Sequence, residues 1–205
     1  MKRNAPIAAL AAAIVLVAAM ALMLRRDLTE SSSGSGAQTA SGTTVPVKVV
    51  MQLNGGEVDI DLRPDLAPRN VAQLKTLIDR KFYDGLVFHR VIAGFMAQTG
   101  DPTGTGAGGS DLPDLPAEFT DTPFKRGVIG MARTSDPNSA NSQFFICLGD
   151  ADWLDGKYTV VGYVTSGMSA VDGIKKGDAD RNGLVEDPDK IISMRLVDSG
   201  AGTAN

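Results

Sequence analysis

The sequence predicts a mainly β fold: eight strands in an antiparallel sheet that closes into a barrel, accompanied by two helices. Three observations predict it. Eight runs show the apolar character or period-two alternation of strands, and only two segments show helical spacing. The first two runs flank Asn54-Gly55-Gly56, and Asn-Gly is the strongest short hairpin signal. A many-stranded antiparallel chain with few helices avoids exposed edges by closing on itself.

The 205 residues suffice for one ordinary domain with appendages. The first segment lies outside that domain. Lys2 and Arg3 precede an uninterrupted apolar run over residues 7–24. A helix over residues 5–24 would be about 30 Å long, which matches a bilayer core. Ala19-Met20-Ala21 offers a small-residue cleavage site, but cutting there would leave Leu22, Met23 and Leu24 on the mature end. A signal-anchor over residues 1–26 is therefore favoured over a cleaved signal peptide. Arg25 and Arg26 oppose Lys2 and Arg3, and Asp27 and Glu30 tilt the orientation towards a cytoplasmic N-terminus. The domain then sits in the periplasm, anchored at the inner membrane, or free there if the segment is cleaved. Residues 27–44 are Ser/Gly/Thr-rich, with Leu28 the only large apolar residue, and form a flexible tether of roughly 23 Å r.m.s. reach.

In the domain, Val47, Val49, Met51 and Leu53 alternate with Lys48, Val50 and Gln52 as a half-buried strand. Val58, Ile60 and Leu62 alternate with Asp59 and Asp61 as the second. Pro68 stands where a helix can begin, and Val71, Leu74, Leu77 and Ile78 follow at helical spacing. Strand-like runs then occupy 86–92, 95–99, 127–132, 143–148 and 158–164. A short helix fits 168–176, the last strand is 191–197, and 200–205 is a disordered tail.

Composition excludes several functions. Hydrophobic residues are 43% and charged residues 21%, close to globular averages, so wholesale disorder is excluded. The formal net charge is −4, and residues 45–205 hold 16 basic against 22 acidic side chains, a net of −6. Nucleic-acid binding needs clustered Lys and Arg and is not expected. Contact with a membrane is expected through the N-terminal helix only. Cys147 is the only cysteine, which excludes an intrachain disulfide and a Cys-based zinc site; His89 is the only histidine, which excludes a multi-histidine site.

Four local signals could carry chemistry. Gly104-Thr105-Gly106-Ala107-Gly108-Gly109 has a G-x-G-x-x-G spacing, but a dinucleotide site needs a helix to follow, and Pro113 and Pro116 argue against one. Asp178-x-Asp180-x-Asn182-Gly183, with Asp189 twelfth, is close to a calcium loop; Pro188 inside it and the strand after it favour a polar turn. His89 has no G-x-S-x-G partner motif and reads as a structural, hydrogen-bonded histidine. Cys147 sits in Phe144-Phe145-Ile146-Cys147-Leu148 with nothing nearby to activate it, and reads as a buried, inert thiol.

A larger signal is spread along the chain. The block Phe88-His89-Arg90-Val91-Ile92-Ala93-Gly94-Phe95-Met96-Ala97-Gln98-Thr99-Gly100-Asp101-Pro102 resembles the signature of the cyclophilin family of peptidyl-prolyl cis-trans isomerases. So do Phe82-Tyr83-Asp84-Gly85, Asn141-Ser142-Gln143-Phe144-Phe145-Ile146 and Trp153-Leu154-Asp155-Gly156-Lys157. The resemblance runs from about Val47 to Asp198, in family order and spacing. It implies a closed eight-stranded antiparallel barrel capped by two helices, an isomerase domain over 45–199, proline-containing polypeptides as partners, and neither cofactor nor metal. A monomer is expected.

Rotation about an X-Pro bond has a barrier of about 18–20 kcal/mol and takes tens of seconds or more unassisted. Twisting breaks amide resonance and returns a lone pair to the prolyl nitrogen. A donor at that nitrogen is bonded more strongly in the transition state than in the planar ground state. The resemblance gives that role to Arg90, with Phe95 and Gln98 completing the catalytic set and Gln98 orienting Arg90. It assigns Phe95, Met96, Phe145 and Leu154 to the proline pocket, which spacing alone would have placed in the core. It puts Ala132 and Arg133 beside the residue before proline, Gln143 at the rim and Gly106 on a nearby loop. Trp153 matches a position linked to cyclosporin binding, so the resemblance implies a cyclosporin-type ligand as a further partner. Three departures stand out. Arg133 replaces a common Asn, Tyr158 replaces a His and still walls the pocket, and Thr134-Ser135-Asp136-Pro137 is about one residue longer than the short family form. The alternative reading is a Pro-peptide binding module with little turnover, which could have lost Arg90 without losing its pocket.

Overall fold

In a computed structural model of the protein, which describes residues 45–197, strands β1 (Val47–Leu53) and β2 (Gly56–Leu62) form the expected hairpin. Leu53 lies opposite Gly56, and Asn54-Gly55 is the two-residue loop between them. The expected signal-anchor (1–26), tether (27–44) and tail (200–205) lie outside the described residues. Among the described residues no helix is long and apolar enough to cross a membrane.

Helix α1 (Pro68–Asp79) follows, starting at the proline as expected and burying Val71, Leu74, Leu77 and Ile78. Its free amides are capped from far along the chain. The Glu118 carboxylate accepts from the backbone N–H groups of Arg69 (3.1 Å) and Asn70 (3.0 Å), a favourable place for negative charge. Then come β3 (Arg90–Ile92), β4 (Met96–Thr99), β5 (Val128–Met131), β6 (Phe144–Cys147), β7 (Val160–Ser166), α2 (Met168–Asp172) and β8 (Ser193–Leu196). Helix α2 stops at Gly173, short of the expected Lys176, because glycine is a poor helix former.

All eight strands belong to one antiparallel sheet in the order β3-β4-β6-β5-β7-β2-β1-β8. The sheet curls into a half-barrel, and the expected closed ladder is not seen: edge strands β3 and β8 do not pair. The segments just before them meet instead, through an isolated bridge between Val87 and Lys190. Around it Gly85 N–H donates to Ile191 O (2.7 Å), Ile191 N–H to Leu86 O (2.9 Å) and Phe88 N–H to Asp189 O (2.9 Å). The expected strand at 86–92 is thus split, its first half making this contact and only Arg90–Ile92 entering the sheet.

Strands β4, β5 and β6 are covered on both faces. Alternation sends Val91, Ala97, Ile129 and Ile146 into the main core with α1. Met96, Val128, Phe145, Cys147 and Val160 enter a second apolar cluster on the opposite face. This double burial is why β5 and β6 read as continuous apolar runs. The second cluster is the floor of the site.

Candidate active site

Register assembles the site. Arg90 on β3 lies opposite Gln98 on β4, Gln98 opposite Phe145 on β6, and Phe145 opposite Gly130 on β5. One row across four strands therefore passes from a cation, through an amide, to an aromatic ring. The glycine is required: a Cβ at Gly130 would sit 2.5 Å from Phe145 Cζ and 2.7 Å from Phe124 Cε1. Its absence lets Phe145 lie against β5, stacked with Phe124 at 5.8 Å. Tyr158 meets Phe145 edge-on at 5.9 Å. Met96 and Leu154 are buried in the same cluster, with Ala132 and Phe95 packed against it half-buried. Trp153, 57% exposed, lies over Phe95 at 5.2 Å.

The polar half of the site is one connected network. Arg90 Nε donates to Asn182 O (3.0 Å), Nη2 to Asn182 Oδ1 (2.9 Å) and Nη1 to Gln98 Oε1 (3.3 Å). Gln98 Nε2 donates to Gln143 Oε1 (2.8 Å), and Gln143 Nε2 to the carbonyls of Gly106 (3.1 Å) and Gly108 (2.8 Å). Burial lowers the Arg90 pKa from its ordinary value, with Tyr158 opposing that shift, and the group remains a cation. Among the described residues no carboxylate lies within ion-pair distance of it.

Asp101 anchors the Gly-rich loop that carries Gly106. Its carboxylate accepts from the backbone N–H groups of Thr103 (2.7 Å), Thr105 (3.0 Å), Gly106 (2.6 Å) and Gly108 (3.2 Å). Burial alone would raise its pKa, but these donations outweigh burial and bring it down to about 2. The amides that a phosphate would need are thus already occupied, which closes the nucleotide reading. In the calcium-like segment the side chains bond within the protein, as in a polar turn. Asp178 Oδ1 accepts from Asp180 N–H, Asn182 Oδ1 from Arg90, and Asp189 Oδ2 from Lys175 N–H. Among the described residues no group of three or more His, Cys, Asp or Glu side chains could hold a metal ion.

His89 is buried beneath Gly106, as a structural histidine is expected to be; among the described residues neither ring nitrogen makes a hydrogen bond of ordinary geometry, and the Val87 backbone is the polar group that bears on it. Burial lowers its pKa, Asp101 opposing, so it is neutral at pH 7, and among the described residues it has no serine or carboxylate hydrogen bond that would make it a general base. Cys147 is fully buried, and burial pushes its thiol up to about 12, as an inert thiol requires. Arg133 stacks on the Tyr158 ring with its guanidinium carbon 4.4 Å from the ring centre.

The structure thus gathers Arg90, Phe95, Met96, Gln98, Gly106, Ala132, Arg133, Gln143, Phe145, Trp153, Leu154 and Tyr158 around one face. Sequence reasoning missed Asn182, Asp101, Phe124 and Gly130. Asn182 was visible only as a residue of the calcium-like loop; its left-handed φ of 56° turns the loop back towards Arg90. Nothing local marks Gly130 or Phe124, since their role exists only across the register.

Comparison with known proteins agrees with this geometry. The family model for cyclophilin type peptidyl-prolyl cis-trans isomerases matches residues 48–196, most of the chain. The chain belongs to the cyclophilin family. It is 55% identical over 170 residues to a probable peptidyl-prolyl cis-trans isomerase of Brucella suis, covering 78% of this chain and 87% of that one. It is 39% identical over 158 residues to peptidyl-prolyl cis-trans isomerase-like 1 of Aspergillus fumigatus, covering 74% and 96%. Among solved structures it is similar to a Cryptosporidium parvum cyclophilin crystallised in the presence of the dipeptide Ala-Pro, with TM-score 0.67 and 27% identity over 73% of this chain and 98% of that one. A cyclophilin from Hirschia baltica aligns with TM-score 0.67 and 28% identity over 76% and 75%. This cyclophilin is therefore an enzyme of the isomerase class, acting on peptidyl-prolyl bonds.

Proposed function

We propose that Arg90 drives prolyl isomerisation by donating a hydrogen bond to the prolyl nitrogen as the amide twists. One observation carries this. Arg90 presents a guanidinium fixed by three hydrogen bonds at the edge of an apolar floor, with no neutralising carboxylate among the described residues. Guanidinium has five N–H donors, so two remain for a substrate. The proline ring rests on Phe145, walled by Phe95, Met96, Leu154 and Tyr158, and its nitrogen faces Arg90. Planar amide nitrogen is a poor acceptor and pyramidal nitrogen a good one, so the bond strengthens as the barrier is climbed. A rate gain of 10⁴ needs only about 5.4 kcal/mol, within reach of one charge-assisted hydrogen bond plus positioning. No nucleophile or proton transfer is needed.

The substrates on this reading are proline-containing polypeptides, which the Ala-Pro dipeptide used with the Cryptosporidium protein supports. Exposed Trp153 over Phe95 offers an edge for a cyclosporin-type macrocycle. The apolar run at 7–24 supports anchoring at the inner membrane with the domain in the periplasm. The test of the mechanism is cis-trans exchange of an X-Pro peptide catalysed by the full-length protein and by Arg90→Lys. Arg90→Lys keeps the charge but loses the planar fork, and turnover is expected to fall at least tenfold. Parental turnover in that variant would refute the assigned role.

A further inference from the structure

Arg133 is the second uncompensated guanidinium of the site. Its Nε and Nη2 donate to Lys157 O (3.3 and 2.9 Å), its Nη1 donates to Thr134 O (2.9 Å), and its plane lies over Tyr158. Phe119 flanks it at 5.9 Å. All its partners are carbonyls and rings, and among the described residues no carboxylate lies within ion-pair distance. By contrast, of the arginines outside this site among the described residues, Arg63, Arg80, Arg126, Arg181 and Arg195 are each paired with an Asp or Glu, and Arg69, on α1, is the exception. In a domain carrying excess acid, two arginines left unpaired within one site form a local cationic spot.

We propose that Arg133 makes this enzyme prefer substrates with an acidic residue immediately before the proline. The proposal rests on the isomerase reading of this face and names a substrate class for it. The Phe145 and Tyr158 rings are 5.9 Å apart and the Arg133 guanidinium is 4.4 Å beyond Tyr158. Arg133 is therefore within about 10 Å of the proline floor, the reach of one extended residue plus a glutamate side chain. Three of its five donors hold it in place and two stay free for a carboxylate. Stacking and carbonyl bonds fix the side chain beforehand, which reduces the ordering entropy that weakens most surface ion pairs. Arg90 is occupied at the prolyl nitrogen, which leaves Arg133 to meet the flanking side chain.

The test is kcat/KM of the full-length protein on tetrapeptides differing only before proline, with Glu, Gln or Lys. Glu over Gln is expected to be favoured about two- to fivefold at low salt, the range of a well-placed exposed ion pair, with Lys poorest. The preference is expected to fade by 1 M salt, where charges are screened over about 3 Å. In Arg133→Gln the Glu:Gln ratio is expected to fall to about one, whatever happens to overall turnover. Equal rates for Glu and Gln in the parent, or a preference that survives in Arg133→Gln, would overturn the proposal. Were no peptide isomerised at all, the isomerase reading would fail, and the same ratio taken from peptide dissociation constants would still decide the role of Arg133.

Discussion

Asn182 holds Arg90, the proposed donor to the prolyl nitrogen, and replacing it with glycine isolates that contribution. Asn182 sits at φ 56°, where glycine is at ease and alanine is strained, so Asn182→Gly keeps the loop. The variant also keeps the bond from Arg90 Nε to the residue-182 carbonyl at 3.0 Å, which is backbone. It removes only the 2.9 Å bond from Nη2 to Oδ1. The remaining side-chain support is Gln98 at 3.3 Å, close to the limit of a useful hydrogen bond. Hydrogen bonds involving a charged group contribute about 1.5–3 kcal/mol when buried, and Arg90 is only partly buried, so about 1–1.5 kcal/mol of transition-state positioning is at stake. That corresponds to about a five- to twelvefold loss in kcat/KM. Folding stability should change by less than about 1 kcal/mol, since the loop is exposed and glycine tolerates the dihedral. The assay is peptide exchange alongside urea unfolding. A variant with parental stability and kcat/KM within twofold of parent would show that Asn182 does not position Arg90.

Two further changes test the architecture around that arginine. Gly130→Ala places a methyl 2.5 Å from Phe145, so overpacking should cost about 1–3 kcal/mol in urea unfolding and turnover should fall with it; an unaltered unfolding midpoint would mean the ring does not need β5 so close. Acid should destabilise the domain in two steps. His89 has a lowered pKa, so its contribution is present above the ordinary 6.5 and fades as pH falls below it. Asp101, at about 2 against an ordinary 3.8, contributes about 2 kcal/mol above pH 4 that is lost as pH falls towards 2. Urea midpoints of Asp101→Asn should therefore start lower at pH 7 and converge on the parent near pH 2; parallel profiles would contradict the assigned role of Asp101.

Much of the fold was legible because period-two alternation in β1 and β2 and the proline start of α1 are local signals. The residues at 86–92 misled because apolar character does not say which partner a strand takes, and half of that run pairs across the gap beside β8. Barrel closure misled for the same reason: strand count does not specify a ladder between β3 and β8. In the site, Arg90, Gln98 and Phe145 are contiguous in space through the register of β3, β4 and β6, which the family resemblance supplied and periodicity could not. Asn182 and Asp101 were illegible because the partners of each side chain are set by how a loop turns back in space. The acidic look of 178–189 suggested a cation, while the structure uses its asparagine to hold one from the protein itself.

The most direct test of the central claim compares binding with turnover in Arg90→Ala. The full-length protein and this variant would be titrated with one X-Pro peptide while cis-trans exchange is followed by NMR. If Arg90 acts at the prolyl nitrogen, the peptide still binds the floor made by Phe145 and its neighbours, and exchange falls by about two orders of magnitude or more. If the variant exchanges the bound peptide at the parental rate, the arginine mechanism is wrong.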